Sequence, residues 1–578
     1  MEVSPHRVGN GGEGLSCLTM EDTTREHRAQ AAGAESEGTP VESEQASTEQ
    51  VAKSTGMMSA LIFLSRVTGF VRTWAMAFAL GNTVLAASYS LARNLPDMIY
   101  ELVAGGVLAT AFLPIYLQQR NTRSREAANA YASNLLSLVI VFLGGISVLA
   151  SIFAPQVILT QSLFNNESSA TIDNAVWLFR FFAFQILFYG INAVFSGLLN
   201  AERSYFWPSI CSVFMNLVNI VMFFGYPFVK NFGETVGLLW LAIGTTLSIA
   251  VMAFVQVPAL KKAGFRFRFG IDFHGEGLRE TLQLALPAIA CTAINLVSLS
   301  LANSVALSIA DNGPASVSYA KMWYMFPYGV LGVALSTAMY TEMSNAMSRK
   351  DYATFKKQLN MGLRTTWLLI IPMAAMLFVC ATELIGLYTA GSFTAEDVAP
   401  VAELLRAWSF ALPLYAGYMF LYRAFSSLKD LKTVAKCRLV LTVVQVLVYM
   451  LAGGVIAIDG WDGIGLPALA LGDFVLYLLM IVSLLLILRH RIGSFGFKDL
   501  AVATVKVIVA SVAGALIAGL VEHGMSAVFN VYTIAGSLVV LVVTGVVGLA
   551  AIVVFCRLLG VNEIEGAIKA VLRRLRKK

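Results

Sequence analysis

Charge is scarce in this chain. Of its 578 residues 13% are Asp, Glu, Lys or Arg and 57% are hydrophobic, whereas an ordinary soluble domain carries about 25% charged residues. That deficit excludes a soluble globular enzyme and points to an all-α polytopic membrane protein. Cysteine is also sparse: Cys17, Cys211, Cys291, Cys380, Cys437 and Cys556 are scattered, with no CxxC and no Cys/His cluster. Neither a disulfide framework nor a zinc site is expected. The five histidines lie in the tail, in loops or near segment ends, which argues against a metal or haem centre; no cofactor is expected. The formal net charge of +6 is spread over short loops rather than one face, so nucleic acid is not an expected partner. No nucleophile elbow and no His-rich helix occurs, so an enzyme is not expected.

What is present falls into two regimes. Residues 1–55 hold ten acidic and four basic residues with few large apolar side chains, a composition that cannot offset its ordering entropy. A disordered cytoplasmic tail is expected there, without the n-region and h-region of a signal peptide. From Met57 onward there are fourteen apolar segments, approximately 57–80, 86–118, 131–154, 175–199, 206–229, 236–258, 281–309, 316–343, 363–387, 401–427, 436–458, 464–488, 500–522 and 531–556. Each is near the ~20 residues of a spanning helix. Leu95-Pro96 predicts a break or kink inside the second.

Loop charges give the orientation. With the N-terminus inside, the inner loops hold Arg120, Arg123, Arg125, Arg203, Lys261, Lys262, Lys350, Lys429, Lys432, Arg489 and Arg491, and the chain ends Arg573-Arg-Leu-Arg-Lys-Lys578. The outer loops hold Glu167, Asp173, Asp311, Glu396, Asp397, Asp459 and Asp462, with Lys230 their one clear cation. The positive-inside rule then puts both termini in the cytoplasm of a plasma-membrane protein.

The chain also repeats at an offset of 226 residues: Gly106-Val-Leu-Ala-Thr-Ala matches Gly332-Val-Ala-Leu-Ser-Thr, Arg180 and Tyr189 match Arg406 and Tyr415, and Arg203 matches Lys429. The expected organisation is a six-helix lobe over 56–260, a linker over 261–280 and a second six-helix lobe over 281–490. Two further helices over 491–560 and a basic tail over 561–578 complete it. Duplicated bundles with a site between their halves are transporter architecture.

Against this apolar background, Ser65-Arg-Val-Thr-Gly-Phe-Val-Arg72 places two arginines inside the first segment. On insertion scales each costs roughly 2.5–3.5 kcal/mol at a helix centre. Arg66 lies 15 residues from the turn at Gly81, and Glu101 lies 15 from Ala86 on the other side, so at ~1.5 Å per residue both are ~22 Å down. They are candidates for an ion pair. Arg72 and Arg93 sit nearer the turn, with no obvious carboxylate at their level. The repeat pairs Arg66 and Arg72 with Thr292 and Ser298, so these cations were not duplicated with the fold. Two readings stay open: the arginines snorkel and pin the helix, or they line a cavity and bind an anionic head group. The candidate contact set is Arg66, Arg72, Arg93, Glu101 and Lys321. Gly69, Pro96, Gly105 and Gly106 are candidates for hinges or close packing.

The same residues carry a resemblance. Ser65–Arg72 with its following Gly turn, Asn94-Leu-Pro-Asp97, Ala111-Phe-Leu-Pro114, Phe326-Pro-Tyr-Gly-Val-Leu-Gly-Val-Ala-Leu-Ser336 and Asp430-Leu-Lys-Thr433 resemble the MurJ/MviN family. These are the lipid II flippases of the multidrug/oligosaccharidyl-lipid/polysaccharide exporter superfamily. The resemblance covers about 56–560 and implies fourteen helices in two lobes, with a cationic cavity for the pyrophosphate and sugar-peptide of undecaprenyl-linked lipid II. It further implies a tail groove on the last two helices, membrane lipid as surroundings and the cell-wall synthesis machinery as a partner. Arg66 and Arg72 fall on the family's first-helix arginines. Ala87, Tyr100, Ala104-Gly-Gly106 and Lys321-Met322 depart from its best-studied branch, and Tyr100-Glu-Leu-Val-Ala-Gly-Gly-Val-Leu108 resembles the actinobacterial branch.

The competing expectations are a flippase for another polyprenyl-linked glycan and a cation-coupled small-molecule antiporter of the same superfamily. The antiporter predicts a membrane carboxylate cluster and fewer cations, the reverse of this sequence. A glycan polymerase would need an acid/base site at the outer face, and Asp311-Asn-Gly-Pro314 is too short a loop to build one. The coupling ion is not legible.

Overall fold

A computed structural model describes residues 40–102, 112–165, 170–272, 278–456, 459–494 and 496–561. The tail through residue 39, Gly105, Gly106, residues 273–277 of the linker and residues 562–578 lie outside the described residues. The described chain is helical throughout its apolar segments. The first helix, α1 (Pro40–Leu80), begins inside the stretch expected to be tail, because residues 40–55 are rich in the helix formers Glu, Gln, Ala and Lys. It is followed by α2 (Val84–Leu102), α3 (Leu113–Thr122) and α4 (Arg125–Ile152). Of the break or kink expected at Leu95-Pro96, a break is absent: α2 runs as one helix through Pro96 to Leu102.

Next come α5 (Ala154–Leu159), α6 (Ala170–Phe182), α7 (Gln185–Ala201), α8 (Phe206–Val229), α9 (Glu234–Phe254) and α10 (Val257–Lys262). The second half comprises α11 (Leu278–Ile309), α12 (Gly313–Pro327), a π-helical stretch over Tyr328–Gly332, α13 (Val333–Ser348), α14 (Tyr352–Val379), α15 (Ala381–Gly386), α16 (Val398–Ser427), α17 (Leu431–Ala452) and α18 (Pro467–Ile492). Last are α19 (Phe497–Ser526) and α20 (Ile534–Leu558). Among the described residues nine helices are long and apolar enough to cross a membrane, and ten if α6 and α7, bent by 42°, count as one span. Each of the fourteen expected segments meets a helix of this series or a broken pair.

The halves repeat in detail. Helices α4 and α14 are both 28 residues long, start 227 residues apart (352 − 125), and each runs into a six-residue helix. Arg203 and Lys429, 226 apart (429 − 203), adopt the left-handed conformation with φ of 56° and 57°. In both places the following amide reaches back five residues, Ser204 to Leu199 and Asp430 to Phe425. Two non-glycine residues rarely share that backbone region by accident.

Helices α19 and α20 pack on each other and dock through α14 and α15 onto the second half. Their remaining faces carry Leu516, Leu520, Val542 and Val546 exposed, which suits lipid and would not suit water.

Hydrogen bonds join the two halves near the end of the bundle that carries the α1–α2 turn, called the distal end below. Ser392 N donates to Phe78 O at 2.9 Å, Tyr319 Oη to Gly81 O at 2.6 Å, Asn312 Nδ2 to Asn82 O at 3.1 Å and Trp74 Nε1 to Leu387 O at 2.9 Å. Gln161 bridges Ser300 and Asn303 at 2.9 and 2.7 Å. Two glycines make the closest approach. Gly81 (φ +65°) and Gly391 (φ +62°) leave no room for a Cβ, which would stand 2.3 Å from Ser392 O and 2.3 Å from Phe78 O respectively. The structure is a state sealed at its distal end.

Candidate functional site

Helix α1 is held from behind by α8. Ser65 Oγ and Ser212 Oγ are 2.8 Å apart, and Asn216 Nδ2 donates to Thr68 Oγ1 at 3.0 Å and Ser65 O at 3.3 Å. A Cβ on Gly69 would sit 3.7 Å from Asn216 Nδ2, an ordinary contact, so packing alone does not require glycine there. On the other side α1 meets the second half: Phe70 lies edge-on to Trp323 with ring centroids 4.8 Å apart.

Between these supports the arginines face different surroundings. Arg66 is exposed, and its guanidinium carbon comes within 4.0 Å of where a Cβ of Gly329, in the π-helical stretch, would be. It therefore points across from the first half toward the second. Arg72 is half-buried, with Arg93, Asp97, Tyr89 and Tyr189 as its electrostatic neighbours. The structure thus brings Arg72 and Arg93 together, at the level that counting residues assigned them.

It also supplies the carboxylate that residue counting did not find. Arg93 Nε is 3.3 Å from Asp97 Oδ2, one helical turn on, with side-chain exposures of 12% and 43%. Asp97 Oδ1 accepts from the Tyr189 hydroxyl. The signal was present in Arg93 and Asp97 being four apart on one helix face. Tyr189, on α7, had no such signal beyond its place in the repeat. Three cations and one carboxylate leave a formal charge of +2 (3 − 1) on these described side chains. The side chain of Glu101, expected to pair with Arg66, lies outside the described residues.

Lys321 belongs elsewhere. Its ammonium stands 5.5 Å from the centroid of Trp408, its charge faces Asp473, and it lines a cavity of about 170 Å³ in the second half that none of the three arginines lines. Arg180 and Arg406 lie on α6 and α16. Arg406 Nη2 donates to Thr382 Oγ1 at 2.6 Å, a local anchor. Asp430, at the start of the Asp-Leu-Lys-Thr motif, caps α17 through Thr433 N at 3.3 Å and pairs with Arg491. Partial burial would raise its carboxyl, but the Thr433 hydrogen bonds and the Arg491 guanidinium win and hold it below the ordinary range. That motif is structural.

The arrangement around α1 can offer planar guanidinium forks to a charged oxygen cluster inside a membrane-spanning bundle. It offers no nucleophile with a base, and no cluster of three or more His, Cys, Asp or Glu able to hold a metal occurs among the described residues.

Known proteins share this architecture. The family model described as lipid II flippase MurJ matches residues 76–544. A Burkholderia cenocepacia protein named lipid II flippase MurJ is 27% identical over 400 residues, 68% of this chain and 77% of that protein. A solved lipid II flippase MurJ in an inward closed conformation superposes with a TM-score of 0.71 at 20% identity, covering 88% of this chain and 99% of the other. An inward-facing multidrug resistance MATE transporter of the MOP superfamily gives a TM-score of 0.55 at 17% identity, covering 76% and 94%.

Proposed function

The chain belongs to the MurJ lipid II flippase family, and on that premise we propose that it moves undecaprenyl-pyrophosphate-linked peptidoglycan precursor from the cytoplasmic to the outer leaflet by alternating access. The observation that carries the reading is that the charges of Arg72 and Arg93 face each other inside the bundle, while the carboxylate of Asp97 is paired with Arg93. Desolvated cations of this kind need an anionic partner, and a pyrophosphate supplies about two negative charges against the formal +2 of the site. Arg66, exposed and aimed at the second half, meets the head group first on this reading. Arg72 and Arg93 then hold the phosphates through bidentate hydrogen bonds. The distal end is the outer face, because the loops on that side are acidic and those on the other basic. The sealed state described above is then the one that loads from the cytoplasm. Opening the seal and closing the other end releases the head group outside, where the cell-wall synthesis machinery uses it.

Conditional depletion tests this. Undecaprenyl-linked precursor should accumulate on the cytoplasmic side, shown by its protection from an external hydrolase that cleaves lipid II. Restoration of access by the wild-type chain is expected. Unchanged precursor sidedness on depletion would overturn the reading. Trapping of a different polyprenyl-linked glycan would replace lipid II by that cargo.

A further inference from the structure

The start of the linker between the halves has a feature that the pyrophosphate reading does not use. Beyond Lys262, where α10 ends, residues 265–272 leave the helical conformation and run along α4. Alternate amides tie them down. Arg268 N donates to Ser133 Oγ at 3.4 Å, Gly270 N to Ser137 Oγ at 3.2 Å and Asp272 N to Asn134 Oδ1 at 2.8 Å. Asn134 Nδ2 returns a bond to Asp272 O at 2.8 Å. Bonds from every second residue mark an extended chain, whose side chains alternate between two faces.

The sequence matches that alternation: Phe265, Phe267, Phe269 and Ile271 fall on one face, Arg266 and Arg268 on the other. Phe265 is buried in the core of the first half. The row continues outward with Phe267 43%, Phe269 63% and Ile271 41% exposed, and the rings of Phe267 and Phe269 meet edge-on at 6.5 Å. Arg266 and Arg268 are exposed, as are Lys261 and Lys262 just before them. Against the exposed Asp272 these four cations leave a formal +3 (4 − 1). The anchors Ser133, Asn134 and Ser137 lie where the sequence of α4 turns apolar, and one turn further α4 exposes Val141 and Phe142. An aromatic row bordered by arginines at that level fits the boundary between headgroups and acyl chains.

We propose that residues 261–272 are a docking strip for anionic phospholipid. Phe267, Phe269 and Ile271 enter the edge of the acyl region, while Arg266 and Arg268 hold headgroup phosphates with their guanidinium forks. Charge decides the class of lipid. A strip of formal +3 at a membrane surface favours headgroups with a net negative charge over zwitterionic ones, whose phosphate is offset by their own ammonium. On the orientation proposed above, these are lipids of the cytoplasmic leaflet. Because the strip is pinned to α4, the lipid grips the first half where the linker begins. No residue of the α1 site takes part, so the strip is tested without any transported substrate.

The experiment uses the full, cysteine-free chain in lipid nanodiscs, with a bimane fluorophore on Phe269→Cys. Brominated phosphatidylglycerol and brominated phosphatidylcholine are compared as quenchers. The same label on Val542→Cys, exposed on α20, is the reference for lipid contact without selection. Both lipids should quench at Phe269→Cys, the anionic one at a lower mole fraction, and the preference should shrink as salt is raised. Val542→Cys should show no preference. Arg268→Gln should lower the preference at Phe269→Cys roughly fivefold, and adding Arg266→Gln should bring it to the reference, whereas Arg268→Lys keeps the charge and most of the preference. Equal quenching by the two lipids at Phe269→Cys would overturn the proposal. Quenching by neither would also overturn it, by placing the aromatic row in water or against another protein.

Discussion

Replacing Gly81 by alanine should push the protein out of its distally sealed state. The added Cβ would lie 2.3 Å from Ser392 O and 2.8 Å from Ser392 C, about 1 Å inside the ~3.3–3.6 Å of ordinary C···O contact. Both partners are backbone, so no rotamer change relieves the overlap and the two segments must part by about that distance. A further 1 Å takes the Ser392 N–Phe78 O bond of 2.9 Å, the Tyr319–Gly81 O bond of 2.6 Å and the Ser392 Oγ–Ala79 O bond of 3.2 Å beyond or to the limit of hydrogen-bonding range. At roughly 1 kcal/mol net each, the sealed state loses ~3 kcal/mol, a shift of roughly a hundredfold in the equilibrium. The left-handed backbone adds ~1–2 kcal/mol for any L residue, but it is charged to every state that keeps the turn. Gly460→Ala separates the two effects, since Gly460 has a φ of +79° and nothing within 4 Å of where its Cβ would stand. Spin labels at Thr83 and Glu396 in a cysteine-free background report the distal distance by pulsed electron resonance. Gly81→Ala and Gly391→Ala should lengthen it and slow transport, while Gly460→Ala leaves it unchanged. Equal distances in Gly81→Ala and Gly460→Ala would refute the steric argument.

Three further outcomes are expected. Arg72→Ala should reach the membrane and fail to translocate precursor, and Arg72→Lys should recover little because an ammonium lacks the fork; normal flipping per inserted Arg72→Ala molecule would remove Arg72 from the site. Single cysteines at Asp311 or Asp459 should react with an impermeant thiol reagent from outside and those at Lys350 or Lys432 only after permeabilisation, outside labelling at Lys350 reversing the orientation. The carboxyls of Asp430 and of Asp351, whose Thr354 hydrogen bonds hold it low, are depressed in the folded state, so their stabilisation is present above the unfolded value of about 4. It is lost as pH falls through the lower folded values; melting followed from pH 7 to pH 3 should show Asp430→Asn and Asp351→Asn flattening the acid-side decline.

The sequence made the helices legible because a span needs a long apolar run whatever packs against it. It made the repeat legible through landmarks such as Arg203 and Lys429, which the structure ties to one backbone conformation. Interruptions were harder. Pro96 has the chemistry of a break, yet α2 continues through it, since only one backbone donor is lost and neighbouring helices hold the rest in place. The π-helical stretch over Tyr328–Gly332 begins directly after Pro327, a signal of interruption that does not give its form, whereas the bend between α6 and α7 falls at Ala183-Phe184 with no proline or glycine beside it. Near α1, counting depth from one turn put Arg72 and Arg93 at one level, and the structure makes them electrostatic neighbours. The surroundings of Asp473 were not legible, because Trp408, Gln445 and Tyr449 reach it from two other helices, tens of residues away in the chain.

Duplication followed by divergence of charge accounts for how the two halves differ. The fold was copied closely enough to keep helix lengths and even left-handed residues in register, so each half can pack and pivot as the other does. The cations of α1 were not copied. Arg72 in the first half corresponds to Ser298 in the second, and Ser298 spends its hydroxyl on Gln445 beside Asp473. The first half therefore concentrates a formal +2 near α1, while in the second half Lys321 stands opposite the carboxylate of Asp473 beside a cavity of about 170 Å³. A symmetric pair of cationic sites would hold a pyrophosphate equally well from either half and resist letting go. On the function proposed above, confining the cations of α1 to one half leaves the other free to part from it when the distal seal opens.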